Sequence, residues 1–90
     1  MADIRFNDAL QRYELRVDGE IAVVAKVTDS GDTVAITSTT TEERFGGQGL
    51  GTTLVAFALS DIRDRGKKVD PVCPFVRHVL DAHDEFADLR

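Results

Sequence analysis

A run of glycines limits what this chain can fold into more than any other stretch. Four of the six residues Gly46-Gly47-Gln48-Gly49-Leu50-Gly51 are glycine. Upstream lies Thr33-Val34-Ala35-Ile36-Thr37-Ser38-Thr39-Thr40, rich in β-branched residues and suited to a strand. Downstream, Leu50, Leu54, Phe57, Ala58 and Ile62 recur at helical spacing. The order is strand, glycine loop, helix. Glycine has no Cβ, so the loop can take positive φ and a ligand can come close to the backbone. The first N–H groups of a helix lack internal partners, and the helix dipole adds partial positive charge there. Such a loop makes an anion site, most often for phosphate. The same glycines can instead do no more than pack a helix start. Spacing narrows the anion reading. A P-loop needs Gly-Lys-Ser/Thr after four residues, and no Lys follows Gly51. A dinucleotide fingerprint needs a third glycine where Thr52 stands, and a larger parallel βαβ unit. Gly-x-Gly-Leu-Gly opening a helix is what remains.

The rest of the chain frames that loop. Arg12-Tyr13-Glu14-Leu15-Arg16-Val17 alternates polar and apolar, as a half-buried strand does. Asp18-Gly19 is a two-residue hairpin signal, and Ile21 to Val27 supplies the next strand. Asp29-Ser30-Gly31-Asp32 turns the chain into Thr33–Thr40, and residues 4–6 add a short strand or lead-in. The first half therefore reads as an antiparallel meander. The helix is expected from Leu50 to Arg65, with Arg63 and Arg65 in its last turn and Gly66 closing it. Lys67 to Cys73 reads as a further strand, broken by Pro71 in the manner of an edge. Pro74 suits the first position of a short helix with Phe75, Val76, Val79 and Leu80 on its apolar side. Asp84 to Leu89 reads as a last helical turn closing the core. The expected class is α+β: a meander, a central helix after the loop, one more strand and short C-terminal helices.

Length and charge bound the function. A chain of 90 residues is expected to form one domain over residues 1–90. A domain of that size buries roughly 60–65% of its unfolded surface. The 42% hydrophobic fraction is enough for a folded core. The net charge of −5, with no basic run, speaks against nucleic acid, whose phosphates demand clustered Lys or Arg. It mildly favours cationic partners such as amines, although most such charge is solvated surface. The single cysteine, Cys73, cannot form an internal disulfide, so a cytoplasmic location is expected. One Cys and two His make no metal cluster. Met1-Ala2-Asp3-Ile4-Arg5 lacks an apolar signal core, and no apolar run approaches the ~20 residues of a membrane span. The strand near Pro71 offers an edge for a weak homodimer; a monomer is the alternative.

Three ordered features resemble one family. Phe45 precedes Gly-Gln-Gly-Leu-Gly, Cys73-Pro74 stands at the end of the later strand, and His83-Asp84-Glu85-Phe86 stands near the end. In this order they are similar to the small, YjdJ-type members of the GCN5-related N-acetyltransferases, across nearly the whole chain. There are departures. Gly46 stands where the superfamily often has Arg or Gln and the small group Glu, and Ser38-Thr39 stands where the family often has His-Thr. Asp84 replaces a Pro.

The resemblance implies acyl transfer from acetyl-coenzyme A to an amine, small-molecule or protein. It places the coenzyme A pyrophosphate on the backbone of Gly46, Gly47, Gln48, Gly49, Leu50, Gly51 and Thr52. It draws a donor for the thioester carbonyl from Ser38, Thr39, Thr40 or Thr41 on the preceding strand. The pantetheine arm enters where that strand parts from the one ending at Cys73. Cys73 is the candidate for covalent catalysis, since a helix start can favour its thiolate; the other reading is a small core residue lining the channel. His78 and His83 are weaker candidates for the base, and Arg44, Glu42 and Glu43 beside the loop read mainly as solvated charges. No metal is implied. A non-catalytic module that binds coenzyme A or its acetyl form is the second hypothesis, and a ligand-free interaction domain the third.

Overall fold

The computed structural model describes residues 2–90. Four strands form the expected meander: β1 (Ala2–Asn7), β2 (Arg12–Val17), β3 (Glu20–Asp29) and β4 (Thr33–Thr41). Asp18 and Gly19 both take positive φ, 50° and 83°, as the tight β2–β3 hairpin requires. A 3₁₀ turn (Glu43–Phe45) leads through the glycine loop into α1 (Leu50–Asp64). The chain returns as β5 (Lys68–Asp70), parallel to β4, so the sheet runs β1-β2-β3-β4-β5. α2 (Pro74–Ala82) and a 3₁₀ stretch (Asp84–Leu89) follow.

α1 ends by backbone chemistry. Gly66, at φ 74°, donates its N–H to Arg63 O, and Lys67 N–H reaches Ile62 O at 3.2 Å. These are the two bonds that close a helix through a left-handed residue. The helix therefore stops at Asp64, one residue before the expected Arg65.

The core lies between one face of the sheet and α1. Tyr13, Leu15, Val23, Ala25 and Ile36 meet Leu54, Val55, Ala58, Leu59 and Ile62. Val76, Val79 and Leu80 of α2, with Phe86 and Leu89, close the same core. The stripe of α1 is rotated from the expected one. Val55 and Leu59 are buried, whereas Phe57 is 42% exposed at the border of the core, 6.3 Å from the Tyr13 ring. Tyr13 also donates its hydroxyl to Asp61 Oδ2 at 2.6 Å, tying sheet to helix.

The further strand is shorter than expected. Pairing with β4 ends at Ala35 and Asp70, and Pro71, without an N–H, cannot extend it. Val72 and Cys73 continue as connection, not strand.

On the opposite face of the sheet, Arg5, Glu14, Val24 and Thr40 stand side by side across β1 to β4. Glu14 is nevertheless only 1% exposed, because Arg12, Arg16 and Asn7 close over it. Its carboxylate accepts from Arg12 Nε at 2.8 Å, Arg16 Nη2 at 3.0 Å and Asn7 Nδ2 at 3.1 Å. Burial pushes its pKa up, but these three donors outweigh burial and hold it below the usual carboxylate range.

Candidate active site

The site begins with one extra residue in β4. Ile36 pairs with Val27 and Ser38 with Lys26, which leaves Thr37 as a bulge. The bulge resets the alternation. Val34 and Ile36 face the core before it, and Thr39 and Thr41 turn toward the helices after it. Ser38 and Thr40 fall on the other face, opposite Lys26 and Val24.

β5 leaves β4 at the same level. The last backbone contact is Cys73 N–H to Ile36 O, 3.0 Å. Beyond it, residues 37–41 of β4 have no strand on that side among the described residues. The two chain segments part there, with Cys73 at the fork.

The glycine loop stands beside the fork. Gly47 and Gly49 take φ of 77° and 74°, values at which any Cβ is strained. A Cβ on either would meet nothing within 4 Å, so the space above the loop is open. Gly49 is the N-cap of α1 and offers no side chain, so the N–H groups of Leu50, Gly51 and Thr52 have no side-chain cap. The first bond into the helix is Thr53 N–H to Gly49 O at 3.2 Å. No acidic residue lies in the first turn. Such free N–H groups at the positive end of a helix suit an anion.

The loop, β4 and α2 enclose a cleft of about 230 Å³, lined by Thr41, Phe45, Gly46, Gly47, Gly49, Leu50, Gly51, Thr52 and Phe75. Of the candidate residues, Gln48, Ser38, Thr39, Thr40 and Cys73 do not line it. Gly51 has a different reason for lacking a side chain than Gly49. Its φ is not positive, and a Cβ would sit 3.3 Å from the Phe75 ring. Phe75, expected on the buried side of α2, instead covers Gly51 and is 36% exposed. A glycine inside a first helical turn was the signal for such a neighbour. Gly46 has ordinary extended backbone, and a Cβ there would press on Glu43 O at 3.3 Å.

Cys73 is the N-cap of α2 and only 6% exposed. Its Sγ lies 3.6 Å from Thr39 Oγ1. Burial raises the thiol pKa, but the Thr39 hydroxyl and the backbone N–H groups of Val76, Phe75 and Thr39 outweigh it, and the net shift is downward. Cys73 and Thr39 are therefore brought together, and Cys73 is both a core residue and a polarised thiol.

The weaker candidates separate from the cleft. Arg44 pairs with Glu20 and lies over the Phe45 ring at 4.8 Å. His83 faces Glu85 at 3.4 Å, and His78 is exposed. Glu42 and Glu43 are exposed and do not line the cleft. Among the described residues no group of three or more His, Cys, Asp or Glu could hold a metal ion. Among the described residues no helix is long and apolar enough to cross a membrane.

No curated protein matches the chain. Among solved structures, the ribosomal-protein-S18-alanine N-acetyltransferase from Escherichia coli has a TM-score of 0.63 at 19% identity, over 70% of this chain and 41% of that one. The present chain thus spans less than half of that enzyme. A GCN5-like protein from Staphylococcus aureus, solved by NMR, has a TM-score of 0.74 at 19% identity, over 97% of this chain and 85% of that one. At such identities the likeness establishes the fold. The family model for the GCN5-related N-acetyl-transferase matches residues 12–89, a span that includes the bulged strand, the glycine loop and the Cys73 fork. This chain belongs to the GCN5-related N-acetyltransferases.

Proposed function

We propose that the protein transfers the acetyl group of acetyl-coenzyme A to an amine carried by a small molecule or a protein. One observation carries this reading. The uncapped first turn of α1 and the unpaired edge of β4 flank one cleft. The donor set fits a pyrophosphate: free N–H groups at a helix start, with open space above Gly47 and Gly49. Acetyl-coenzyme A supplies the activated acyl group. Gly46 to Thr52 hold its diphosphate, and the parted segments after Ile36 admit its arm. A backbone N–H between Ser38 and Thr41 donates to the thioester oxygen as negative charge develops. The amine attacks the thioester carbon directly and loses its proton to water; the C–S bond breaks, and coenzyme A leaves as the thiolate and takes up a proton from water. Cys73, buried at the fork with its Sγ 3.6 Å from Thr39 Oγ1, lines the channel beside the acetyl group, where a thiol can line the path or take that group covalently. On this reading the protein works in the cytoplasm and Cys73 stays reduced.

A second reading, a non-catalytic module that binds coenzyme A or its acetyl form, draws on a specific observation. The residues lining the cleft include no titratable side chain. Two measurements test both readings. Coenzyme A at a hundredfold excess over its Kd stabilises a folded binder by about 2.7 kcal/mol, several degrees in Tm for a chain of this size. No shift on a protein shown to be folded removes the site. Incubation with acetyl-coenzyme A and amines, followed by assay of released thiol, then separates enzyme from module. Intact mass resolves the role of Cys73: one acetyl added to the wild type and none to Cys73→Ala marks a covalent acceptor. Turnover that persists in Cys73→Ala marks a lining residue.

A further inference from the structure

β1 and β5 are the two edges of the sheet. β5 is three residues long and followed by Pro71, so it offers little to pair with. β1 is six residues long, and its outer edge has no partner strand among the described residues. An open edge of that length is a template for another strand.

We propose that β1 pairs antiparallel with β1 of a second copy, centred on Ile4, so that two five-stranded sheets join into one. The order Ala2-Asp3-Ile4-Arg5-Phe6 favours this register. In a two-fold antiparallel pair centred on Ile4, Asp3 stands directly opposite the partner's Arg5, and Arg5 opposite the partner's Asp3. Directly opposed residues share a face and lie within side-chain reach. The same register sets Ile4 against the partner's Ile4 and Ala2 against the partner's Phe6 on the helix side. Ile4 and Phe6 are half-buried there, packed against the core and covered incompletely. Phe6 lies 4.9 Å from the Tyr13 ring and under the Arg65 guanidinium at 5.2 Å. A second β1 covers what remains exposed of both.

Charges on an edge strand ordinarily keep copies apart. Here the two charges are of opposite sign and symmetric about one residue, so one register is attractive. Centring the pair on Asp3 or Arg5 loses both cross-strand ion pairs. Within one chain Asp3 and Arg5 already pair at 2.7 Å, but both are more than half exposed. Such a pair contributes little, so exchanging the two intrachain pairs of two copies for two pairs across the edge meets little resistance. The edge lies at the end of the sheet remote from the β4–β5 fork, and the site is complete without the partner.

Sedimentation equilibrium of the full chain tests the register, with circular dichroism showing that each variant is folded. The wild type is expected to show the mass of two chains at high concentration. Asp3→Arg alone and Arg5→Asp alone each set like charges across the edge, and each is expected to fall to the mass of one chain. An equimolar mixture of the two is expected to recover the mass of two, because the variants are complementary to each other. The double variant Asp3→Arg/Arg5→Asp is expected to dimerise by itself. A wild type that remains monomeric at millimolar concentration overturns the proposal. So does a dimer that survives both single variants, which uses another surface, or a mixture that stays monomeric, where the charges do not face one another.

Discussion

Glu14 and Cys73 are buried groups whose charge is set by a few named neighbours, and each gives a pH prediction. The Glu14 pKa lies below its unfolded value of about 4.3. A depressed carboxyl contributes stability above the unfolded pKa and loses it as pH falls through the folded value. Urea stability is therefore expected to drop on acidification below that region. Glu14→Gln should flatten that drop and cost about 1.5–3 kcal/mol near neutral pH, the worth of hydrogen bonds to a charged group. An acid limb equally steep in Glu14→Gln assigns the effect to other carboxylates. For Cys73 the downward shift means thiolate at lower pH than the ordinary thiol value of about 8.5. Alkylation by iodoacetamide should inflect below that value, slowly because the Sγ is buried. Thr39→Val should move the inflection upward; an unmoved inflection would show that the backbone N–H groups alone set it. The strand alternation places Arg12 and Arg16 on the face of Glu14, but neither its burial nor its third partner was visible from spacing, and nor was the partner of Cys73. Glu14 is met by residues two away on its own strand and by Asn7 across the hairpin, while Thr39 and Cys73 are brought together from 34 residues apart.

The glycine loop shows two different uses of glycine within one element. Gly49 needs a positive φ, so Gly49→Val is expected to cost about 1–2 kcal/mol in backbone strain and to abolish coenzyme A binding by crowding the helix start. Binding equal to wild type in a folded Gly49→Val protein places the phosphate elsewhere. Gly51 needs room, not φ. Gly51→Ala should keep the fold, since alanine is the better helix former by about 1 kcal/mol, but it displaces the Phe75 ring. Thermal unfolding of Gly51→Ala, Phe75→Ala and the double variant should be non-additive, because the two positions touch. Additive shifts would separate them. Order and type of the elements were readable in the sequence, because periodicity and turn residues are local. The length of β5 was not, because Pro71 ends the pairing only once β4 is its neighbour.

On the scale of the whole molecule, one continuous core joins the sheet, α1, α2 and the C-terminal 3₁₀ stretch. Tyr13 is the only tyrosine and there is no tryptophan, so tyrosine fluorescence reports on one buried ring between sheet and helix. Urea unfolding followed by that ring and by far-ultraviolet circular dichroism is expected to give coincident transitions. Separate midpoints would mean that the meander and the helical half unfold as different units.

The glycine spacing, the hairpin at Asp18-Gly19 and the cap at Gly66 depend on φ and on neighbours a few residues away, and the sequence determined them by itself. It also carried the family pattern: Phe45 before the loop, Cys73-Pro74 after the strand. What the tertiary structure decided is which side chains meet. The bulge at Thr37 exists only in register against β3, and it is that register that turns Thr39 and Thr41 toward the helices. Phe75 covers Gly51 only because α2 packs beside the start of α1, and Glu14 is buried only because three polar side chains fold over it. Apart from Arg12 and Arg16, which flank Glu14 on its own strand, these contacts join positions far apart in the chain or across the sheet, and no local preference encodes them.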